Sequence, residues 1–408
     1  MKGRNPARKT TSRDGAEVLG ANLRAARPGT VYCRALLPAH ARRAREWADA
    51  CLAGTGAAVV ETWADLRGHL AAAGAGAVSL GDPFVLRDIR AALRGTGIEV
   101  RVVRNDTGLF PPGAVRTKTG TPYRVFGPFR RRAEEMLAAA PPPAAAPGRA
   151  GPARREALRA LAAAGRVAGR YAETRDDLAR ATGEGTTALS RYLARGVLGP
   201  WEVLAALPGD SPVVPQLLWR EFFRQLDHDF PEARRRGLRA DRRGLAWRRD
   251  AAEWRRLETG RTGFPLVDAG VRQLLAEGVM HNRARMVVAQ FATKDLLADW
   301  RRGERFFARH LADYDPAVNA GNWAWNAGAG TDPEVFGPRV FNPWTQARRF
   351  DPRGEYVRRW VPELRDVPTR DLLRPGGAAG HGDPPYPPPV VDHDARRKAF
   401  LEMLAVGR

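Results

Sequence analysis

The chain has 408 residues, 44% of them hydrophobic and 27% charged, which suits a folded protein with room for two separate cores. Lysine and arginine outnumber aspartate and glutamate by 67 to 45, and the net charge of +22 favours a polyanionic partner such as nucleic acid. No apolar run approaches the roughly 20 residues of a membrane span, and the two cysteines, Cys33 and Cys51, are too few for a disulfide framework. Composition therefore predicts a cytoplasmic protein with reduced thiols and no membrane partner.

The first third of the chain alternates between β-like and helical segments. Short strand-like runs begin at Ala57, Ala77 and Ile98, and amphipathic helical segments lie between them. That alternation predicts a parallel sheet covered by helices, an α/β Rossmann-like domain over residues 31–137. Residues 1–30 are polar and lack strand character, so we expect them to be disordered and the sheet to lack one or two strands.

Two low-complexity segments divide the remainder. Residues 138–151 read AAAPPPAAAPGRAG and are predicted to form an interdomain linker, because proline cannot continue a helix or a central strand. Helical periodicity dominates from 152 to 374 and predicts a large all-α domain. Residues 375–408 comprise a second Pro/Gly-rich stretch and a C-terminal helix.

The helical part opens with a segment rich in hydroxyl groups. YAETRDDLARATGEGTTALSRYLARG begins at Tyr171 and contains Arg175, Thr186, Thr187 and Ser190. Hydroxyls and free backbone N–H groups at a helix start can bind an anion. Ordinary helix capping explains the same residues, and the local pattern taken alone favours it.

The next informative motif is PQLLWREFF, which places Gln216, Trp219 and Arg220 on one helix face. The indole could stack on a base while the amide offers one acceptor and two donors beside it. A core tryptophan flanked by surface polar groups is an equally good interpretation of the motif alone.

GVMHNRARM follows about sixty residues later. Asn282 and Met286 are four residues apart and share a helix face, while Arg283 and Arg285 point elsewhere. His281 stands alone, and a lone histidine is more often structural than catalytic.

DYDPAVNAGNWAWN carries the strongest signal. Asn319 and Trp323 are one helical turn apart, whereas Trp325 lies about 200° round the helix from Trp323 and must face another environment. Packed core aromatics would explain any one tryptophan, but not the neighbouring Asp313 and Asp315. A metal site at the two aspartates is disfavoured, because this stretch supplies one imidazole and no second cluster.

These motifs resemble the flavin-binding part of the DNA photolyase/cryptochrome family. The resemblance runs from about Tyr171 to Leu364 and extends more weakly back to about Leu37. It implies an α/β domain followed by a large helical FAD-binding domain. By that resemblance, FAD is held by Tyr171, Thr186, Thr187, Leu189, Ser190, Arg285, Asp313, Asp315 and Asn319.

The resemblance also implies roles for three further groups of residues. An electron relay from flavin to surface is formed by Trp247, Trp300 and Trp323. The substrate is contacted by Gln216, Trp219, Asn282, Met286 and Trp325. DNA is bound by Arg175, Arg220, Arg283, Arg339 and Gln346.

Two departures from the family pattern affect the functional interpretation. The Trp-Phe-Arg-x-Asp-Leu-Arg motif of the first strand is absent, which makes a second, light-harvesting chromophore doubtful. Photolyases for cyclobutane pyrimidine dimers carry a glutamate at the position of Gln216, but they do carry the asparagine and methionine found at Asn282 and Met286. The (6-4) photolyases place two histidines at those last positions, and neither is present.

We therefore expect a monomeric deoxyribodipyrimidine photolyase that binds dimer-containing DNA and repairs it by electron transfer from reduced FAD under light. The alternative is a cryptochrome-like photosensor or a repurposed, non-repairing flavoprotein, which Gln216 and the missing strand motif favour. A (6-4) photolyase is the third possibility.

Overall fold

A computed structural model describes residues 17–19, 30–33, 37, 41–52, 57–73, 75, 77–80, 86–102, 107–139, 152–180, 184–331 and 338–406. Its α/β part contains β1 (Glu17–Leu19), β2 (Thr30–Cys33), α1 (Arg42–Leu52), β3 (Ala58–Val60), α2 (Trp63–Ala72), β4 (Ala77–Leu80), α3 (Leu86–Ala92) and β5 (Glu99–Val102). The five strands form one parallel sheet in the order β3-β2-β1-β4-β5.

The sheet corrects the expectation that residues 1–30 lack a strand. β1 occupies the centre, where Glu17 is in register with Thr30 of β2 and with Ser79 of β4. The sheet therefore contains its central strand. The prediction that residues 1–30 contribute no strand to the sheet is wrong. Residues 1–16 and 20–29 of the segment predicted to be disordered lie outside the described residues.

The core of this sheet is small and apolar. Val31, Cys33, Val78 and Ile89 are fully buried in it, together with Leu66 of α2. α4 (Phe126–Ala139) and α5 (Pro152–Ala168) follow, so the predicted linker at 138–151 starts within the last turn of α4. The rest of that linker lies outside the described residues.

The helical part runs from α5 to the C-terminal helix. Its first elements are α6 (Tyr171–Thr174), α7 (Ser190–Ala194), α8 (Pro200–Ala206), α9 (Val214–Asp229), α10 (Ala233–Arg236), α11 (Ala251–Glu258) and α12 (Pro265–Glu277). They are followed by α13 (Asn282–Gln290), α14 (Trp300–His310), α15 (Pro316–Asn326), α16 (Pro343–Phe350), α17 (Glu355–Trp360), α18 (Thr369–Leu372) and α19 (His393–Val406). Short 3₁₀ turns lie at Ala240–Arg242 and Pro362–Leu364, and a π-helical turn at Phe291–Asp295 extends α13.

Local sequence explains the ends of the central helices. α12 starts with Pro265 in its first turn and ends at Gly278, whose φ of 70° is the left-handed conformation typical of a glycine that closes a helix. α15 starts with Pro316 directly after Asp315, whose carboxylate accepts the first free N–H groups of the helix.

Two glycines let helices approach the core closely. A Cβ on Gly303 of α14 would lie 2.2 Å from the indole of Trp323, and a Cβ on Gly321 of α15 would lie 2.2 Å from the ring of Phe223. Both positions require glycine, because the neighbouring ring occupies the space a side chain would need.

The Pro/Gly-rich stretch packs on the helical core. The Tyr386 hydroxyl donates to buried Asp268 of α12, and the Val390 N–H donates to the Thr262 carbonyl over 2.8 Å. His393, at the start of α19, meets Asp295 of the π-helical turn at 2.6 Å. Within the described chain, no helix is long and apolar enough to cross a membrane.

Candidate functional site

Two arginines of α13 bring the predicted site segments together. The Arg283 guanidinium binds both oxygens of Asp176, each at 3.0 Å, and so ties α13 to the segment after α6. The Arg285 guanidinium binds Asp313 at 2.9 Å and so ties α13 to the loop before α15. Segments more than 100 residues apart in sequence therefore meet at the start of α13.

The pair of Arg285 and Asp313 is held rigidly. The Asp313 side chain is only 3% exposed, and Arg285 also donates from Nε to the Met280 carbonyl over 2.8 Å. Removing Arg285 would leave the buried Asp313 carboxylate without its ion-pair partner, which is strongly destabilising. Arg285 and Asp313 therefore form one unit.

Asp315 has a different role from Asp313. Its Oδ1 accepts the N–H groups of Ala317 and Val318 at 3.1 and 3.2 Å, and its Oδ2 lies 3.9 and 3.8 Å from the guanidiniums of Arg224 and Arg220. Burial alone would raise the pKa of Asp315, but the two arginines and the helix N–H groups outweigh it and hold the pKa below its usual range. The ionised carboxylate thus fixes the start of α15.

Asn319 is oriented by α14. Its Nδ2 donates to both the backbone carbonyl and the carboxylate of Glu304, each over 3.0 Å. The Tyr314 hydroxyl donates to the same carboxylate over 3.1 Å. The Asn319 Oδ1 is therefore the amide atom left to face a ligand, as an acceptor.

The three predicted relay tryptophans differ in depth. Trp323 and Trp300 are each 2% exposed, whereas Trp247 is half-buried. Trp323 packs edge-on against Phe307, with ring centres 4.9 Å apart. The Arg248 N–H donates to the Leu297 carbonyl over 2.8 Å, so the segment that carries Trp247 lies beside the one that leads into Trp300. The order from interior to surface supports the predicted relay, which remains a prediction.

The predicted substrate residues lie at three helix ends. Gln216 is in the first turn of α9, Asn282 is exposed at the start of α13, and Met286 is half-buried one turn later. Trp325 is half-buried near the end of α15, and the Arg339 guanidinium lies 5.6 Å from its ring centre.

Trp219 is less open than the sequence suggests. Phe126 of α4 stacks on its indole with ring centres 3.6 Å apart and planes 12° apart. Phe223 lies 5.6 Å away at 28°. Phe126 therefore covers one face of the indole, and a DNA base could stack only on the part of the indole that is not covered.

The predicted DNA-binding residues separate into two groups. Arg339 is exposed, Arg175 lies over the ring of Tyr171 at 5.9 Å, and Gln346 is half-buried with its Oε1 lacking a partner within the described chain. The Arg220 side chain is only 11% exposed and donates to the carbonyls of Thr107 and Leu193. Its assignment to DNA phosphates is corrected here, because the guanidinium is committed to the protein interior.

Arg283 also has an internal partner. Its side chain is 15% exposed, its guanidinium binds Asp176, and it lies 4.1 Å above the Phe350 ring. A contact with DNA would require this pair to open, so its DNA-binding role remains a prediction.

Several polar side chains at the site make no hydrogen bond to another described residue. Among the described residues, nothing hydrogen-bonds to the hydroxyls of Thr186, Thr187 and Ser190 or to the side-chain amides of Gln216 and Asn282. The backbone beside these hydroxyls is strained, since Ala188 has a φ of 52°. Leu189, which precedes α7, has no side chain that can cap the helix. These groups fit a ligand with many hydroxyl, phosphate and ring-nitrogen atoms, as FAD has.

Three site residues escaped the sequence analysis. Glu304 orients Asn319, Arg224 lies beside Asp315 and donates to Thr107 Oγ1 over 3.0 Å, and Phe126 covers Trp219. Each of these residues is distant in sequence from the residue that it contacts, so no local motif predicts the contact. Within the described chain, no group of histidine, cysteine, aspartate and glutamate could hold a metal ion.

Comparisons with known proteins follow the same division of the chain. Residues 213–406 match the family model described as the FAD binding domain of DNA photolyase, and residues 85–148 match the model described as DNA photolyase. A deoxyribodipyrimidine photo-lyase of Halobacterium salinarum is 35% identical over 368 residues, which cover 78% of this chain and 75% of that protein. The chain belongs to the DNA photolyase/cryptochrome family. FAD is accordingly its cofactor, and the unpartnered hydroxyls and amides fit that assignment.

Other photolyases are similar over different lengths. The deoxyribodipyrimidine photo-lyase of Alkalihalophilus pseudofirmus is 40% identical over 236 residues, which cover 54% of this chain and 49% of that protein. The chain thus spans about half the length of several curated relatives that it matches. A class III photolyase of Agrobacterium tumefaciens superposes with a TM-score of 0.80 and 28% identity over 99% of both chains.

Proposed function

We propose that this protein repairs cyclobutane pyrimidine dimers in DNA under light, as a deoxyribodipyrimidine photolyase. The proposal rests mainly on the start of α13, where exposed Asn282 and half-buried Met286 lie on the same helix face. The unpartnered amide of Gln216 and the indole of Trp325 supply further substrate contacts by family position. Amide, thioether and aromatic groups suit an uncharged pair of linked pyrimidines.

Recognition begins with charge and ends with base flipping. The net charge of +22 attracts the phosphate backbone and makes binding depend on salt. A dimer stacks and pairs poorly, so turning it out of the helix costs less than turning out normal bases. Arg339 is exposed beside Trp325, which allows a phosphate contact next to a stacked base.

When bound and reduced, FAD supplies the electron that opens the dimer on illumination. The chain's own residues supply placement and electrostatics. The ionised Asp315 fixes α15, and Glu304 turns the Asn319 carbonyl oxygen toward the ligand. The pair of Arg285 and the buried Asp313 carboxylate places fixed charges at the site.

The cryptochrome-like photosensor is the second candidate, and Gln216 is the observation that favours it. A neutral amide can hydrogen-bond to a dimer but cannot provide a carboxyl proton. A (6-4) photolyase is less well supported, because Asn282 and Met286 occupy the positions where that class has its two histidines.

Binding of damaged DNA tests the proposal. At moderate salt the FAD-loaded protein should bind an oligonucleotide with one dimer more tightly than the undamaged one. Trp325→Ala should remove about 1–3 kcal/mol of that preference, the contribution of one stacked base. Arg353→Ala, at an exposed arginine of another segment, is the control and should leave the preference intact. Equal affinity of the wild type for both oligonucleotides favours the photosensor.

A further inference from the structure

The exposed face of α5 carries a row of arginines. Arg159 and Arg166 are seven residues apart on this helix, which places them within about 20° of each other around its axis. Arg170 follows two residues after the end of α5, and its N–H donates to the Val167 carbonyl over 3.0 Å, so the chain keeps turning. All three arginines are exposed. At about 1.5 Å per residue, the row is about 16 Å long.

The opposite face of α5 is committed to the protein core. The residues buried on that face are Ala157, Leu161, Ala164 and Ala168. They recur at helical intervals on the side away from Arg159 and Arg166. The arginines therefore face solvent because the rest of the helix fixes its rotation.

Few carboxylates compete for these arginines. The one acidic residue of α5 is Glu156, which accepts from Arg191 over 2.9 Å and from the Tyr192 hydroxyl over 2.8 Å. Arg170 has Glu173 at 3.9 Å, but the two side chains are 70% and 75% exposed. An exposed pair of this kind contributes little, so a phosphate can replace Glu173 at small cost.

Small residues border the row. Ala162, Gly165 and Gly169 are exposed next to it. A Cβ on either glycine would meet nothing within 4 Å, so the surface beside the arginines is open. A phosphate backbone can therefore approach the helix closely.

The row leads to the mouth of the candidate site. Arg170 is the residue before α6, and Arg175 is the residue after it. Asp176 comes next and is bound by Arg283 at the start of α13, beside exposed Asn282. One four-residue helix thus separates the end of the row from the segment that borders the predicted dimer contacts.

We propose that Arg159, Arg166 and Arg170, named here the α5 row, bind the phosphate backbone of the DNA duplex that flanks the dimer. The proposal rests on the repair function proposed above. Base pairs rise about 3.4 Å each, so the row matches the backbone of about five base pairs. Phosphate contacts position DNA without reading bases, so the row adds affinity for flanking duplex and not for the lesion itself.

A combined variant removes the row. Arg159→Gln, Arg166→Gln and Arg170→Gln together delete three charges, and glutamine forms helices about as well as arginine does. The matched control deletes three exposed arginines on and directly after α3, by Arg87→Gln, Arg90→Gln and Arg94→Gln. Both variants should melt with the wild type.

Two probes separate flanking duplex from lesion. The first is a duplex with one central dimer and about ten base pairs on each side, longer than the row. The second is a short single-stranded oligothymidine with one dimer. The dissociation constant of the FAD-loaded protein for each probe is measured at several salt concentrations.

With the duplex, the slope of log affinity against log salt should be shallower in the row variant by about 2.7, at about 0.9 for each lost phosphate contact. The short probe should bind the row variant within about twofold of the wild type, because it lacks the flanking backbone. The control variant should keep the wild-type slope. An unchanged slope in the row variant overturns the proposal, as does an equal loss in the control variant or with the short probe.

Neutral methylphosphonate linkages give a second test in which the wild type itself is measured. Placed in the duplex arm that the row binds, they should make the wild-type slope shallower and leave the slope of the row variant unchanged. Equal effects on both proteins, whichever arm is neutralised, contradict the proposal. A wild type that binds damaged and undamaged duplex equally contradicts the repair function instead, and the slopes with undamaged duplex then still test the row.

Discussion

Gln216 is the residue at which this chain departs most from the dimer-repairing photolyases it otherwise resembles. It is half-buried in the first turn of α9, and its amide makes no hydrogen bond to another described residue. An amide and a carboxyl group have nearly the same shape, so the position can be changed chemically without repacking.

Gln216→Glu should raise the repair yield per absorbed photon, because a carboxyl group can provide a proton that an amide cannot. FAD content should change little. The measurement is the recovered thymine absorbance per photon absorbed by reduced protein. Loss of an existing activity in the variant would show that the site is built around the amide and that the lesion is another one.

Trp323→Phe should largely abolish light-driven reduction of oxidised, bound FAD while sparing repair by chemically reduced protein. By the family resemblance Trp323 is the relay residue expected beside the flavin, and forward repair does not use the relay. Trp254→Phe is the matched control, since Trp254 is equally buried, at 2%, but lies under the Arg302 guanidinium outside the relay. Normal photoreduction in Trp323→Phe would contradict the assigned electron path.

At the scale of elements, the contact of α14 with α15 depends on one glycine. A Cβ on Gly303 would lie 2.2 Å from the Trp323 indole, a distance that real atoms do not adopt. Gly303→Ala should therefore destabilise the protein by about 1–3 kcal/mol through overpacking, measured by urea unfolding. It should also alter FAD affinity, because Trp323 and Asn319 share α15.

Gly165→Ala is the control for that substitution. Gly165 lies within α5, and a Cβ there meets nothing within 4 Å. This change should stabilise the protein by about 0.4–1 kcal/mol, because alanine loses less freedom in a helix than glycine does. Equal effects of the two substitutions would contradict the close packing of Trp323 on α14.

Docking of α19 should depend on pH. Burial alone would lower the pKa of His393, but the hydrogen bond and charge of Asp295 outweigh it and raise the pKa above 6.5. A histidine with a raised pKa stabilises the fold fully below its unfolded pKa, and this stability is lost as pH rises through the folded value.

As pH rises above 6.5, wild-type stability should therefore fall more steeply than that of His393→Gln, which cannot titrate. Urea unfolding of both proteins at several pH values gives the comparison. Parallel pH profiles would show that the pair adds no protonation-dependent stability.

For the whole molecule, the sequence predicts the division into an α/β part and a helical part, because alternation and helical periodicity are visible in windows of ten to twenty residues. The FAD cofactor also follows from motifs. β1 was missed since Glu17–Leu19 is a three-residue strand with only two apolar side chains, too short for any period to show.

Long-range contacts within the site could not be predicted. The stacking of Phe126 on Trp219 and the burial of Arg220 against Thr107 depend on how α9 packs against segments about a hundred residues earlier. Residue type suggested an open indole and a basic surface residue. In the folded protein, Phe126 covers one face of the Trp219 indole, and the Arg220 guanidinium lies in the protein interior.

Light-driven repair of cyclobutane dimers by this site can be measured directly. Oligothymidine containing such dimers, mixed with reduced, FAD-loaded protein and illuminated with blue light, gives the most direct test. We expect thymine absorbance to recover with illumination time, not to recover in the dark, and not to recover for an oligonucleotide that carries only the (6-4) lesion. Bound, reduced FAD and tight DNA binding without any recovery of absorbance would contradict repair of cyclobutane dimers by this protein.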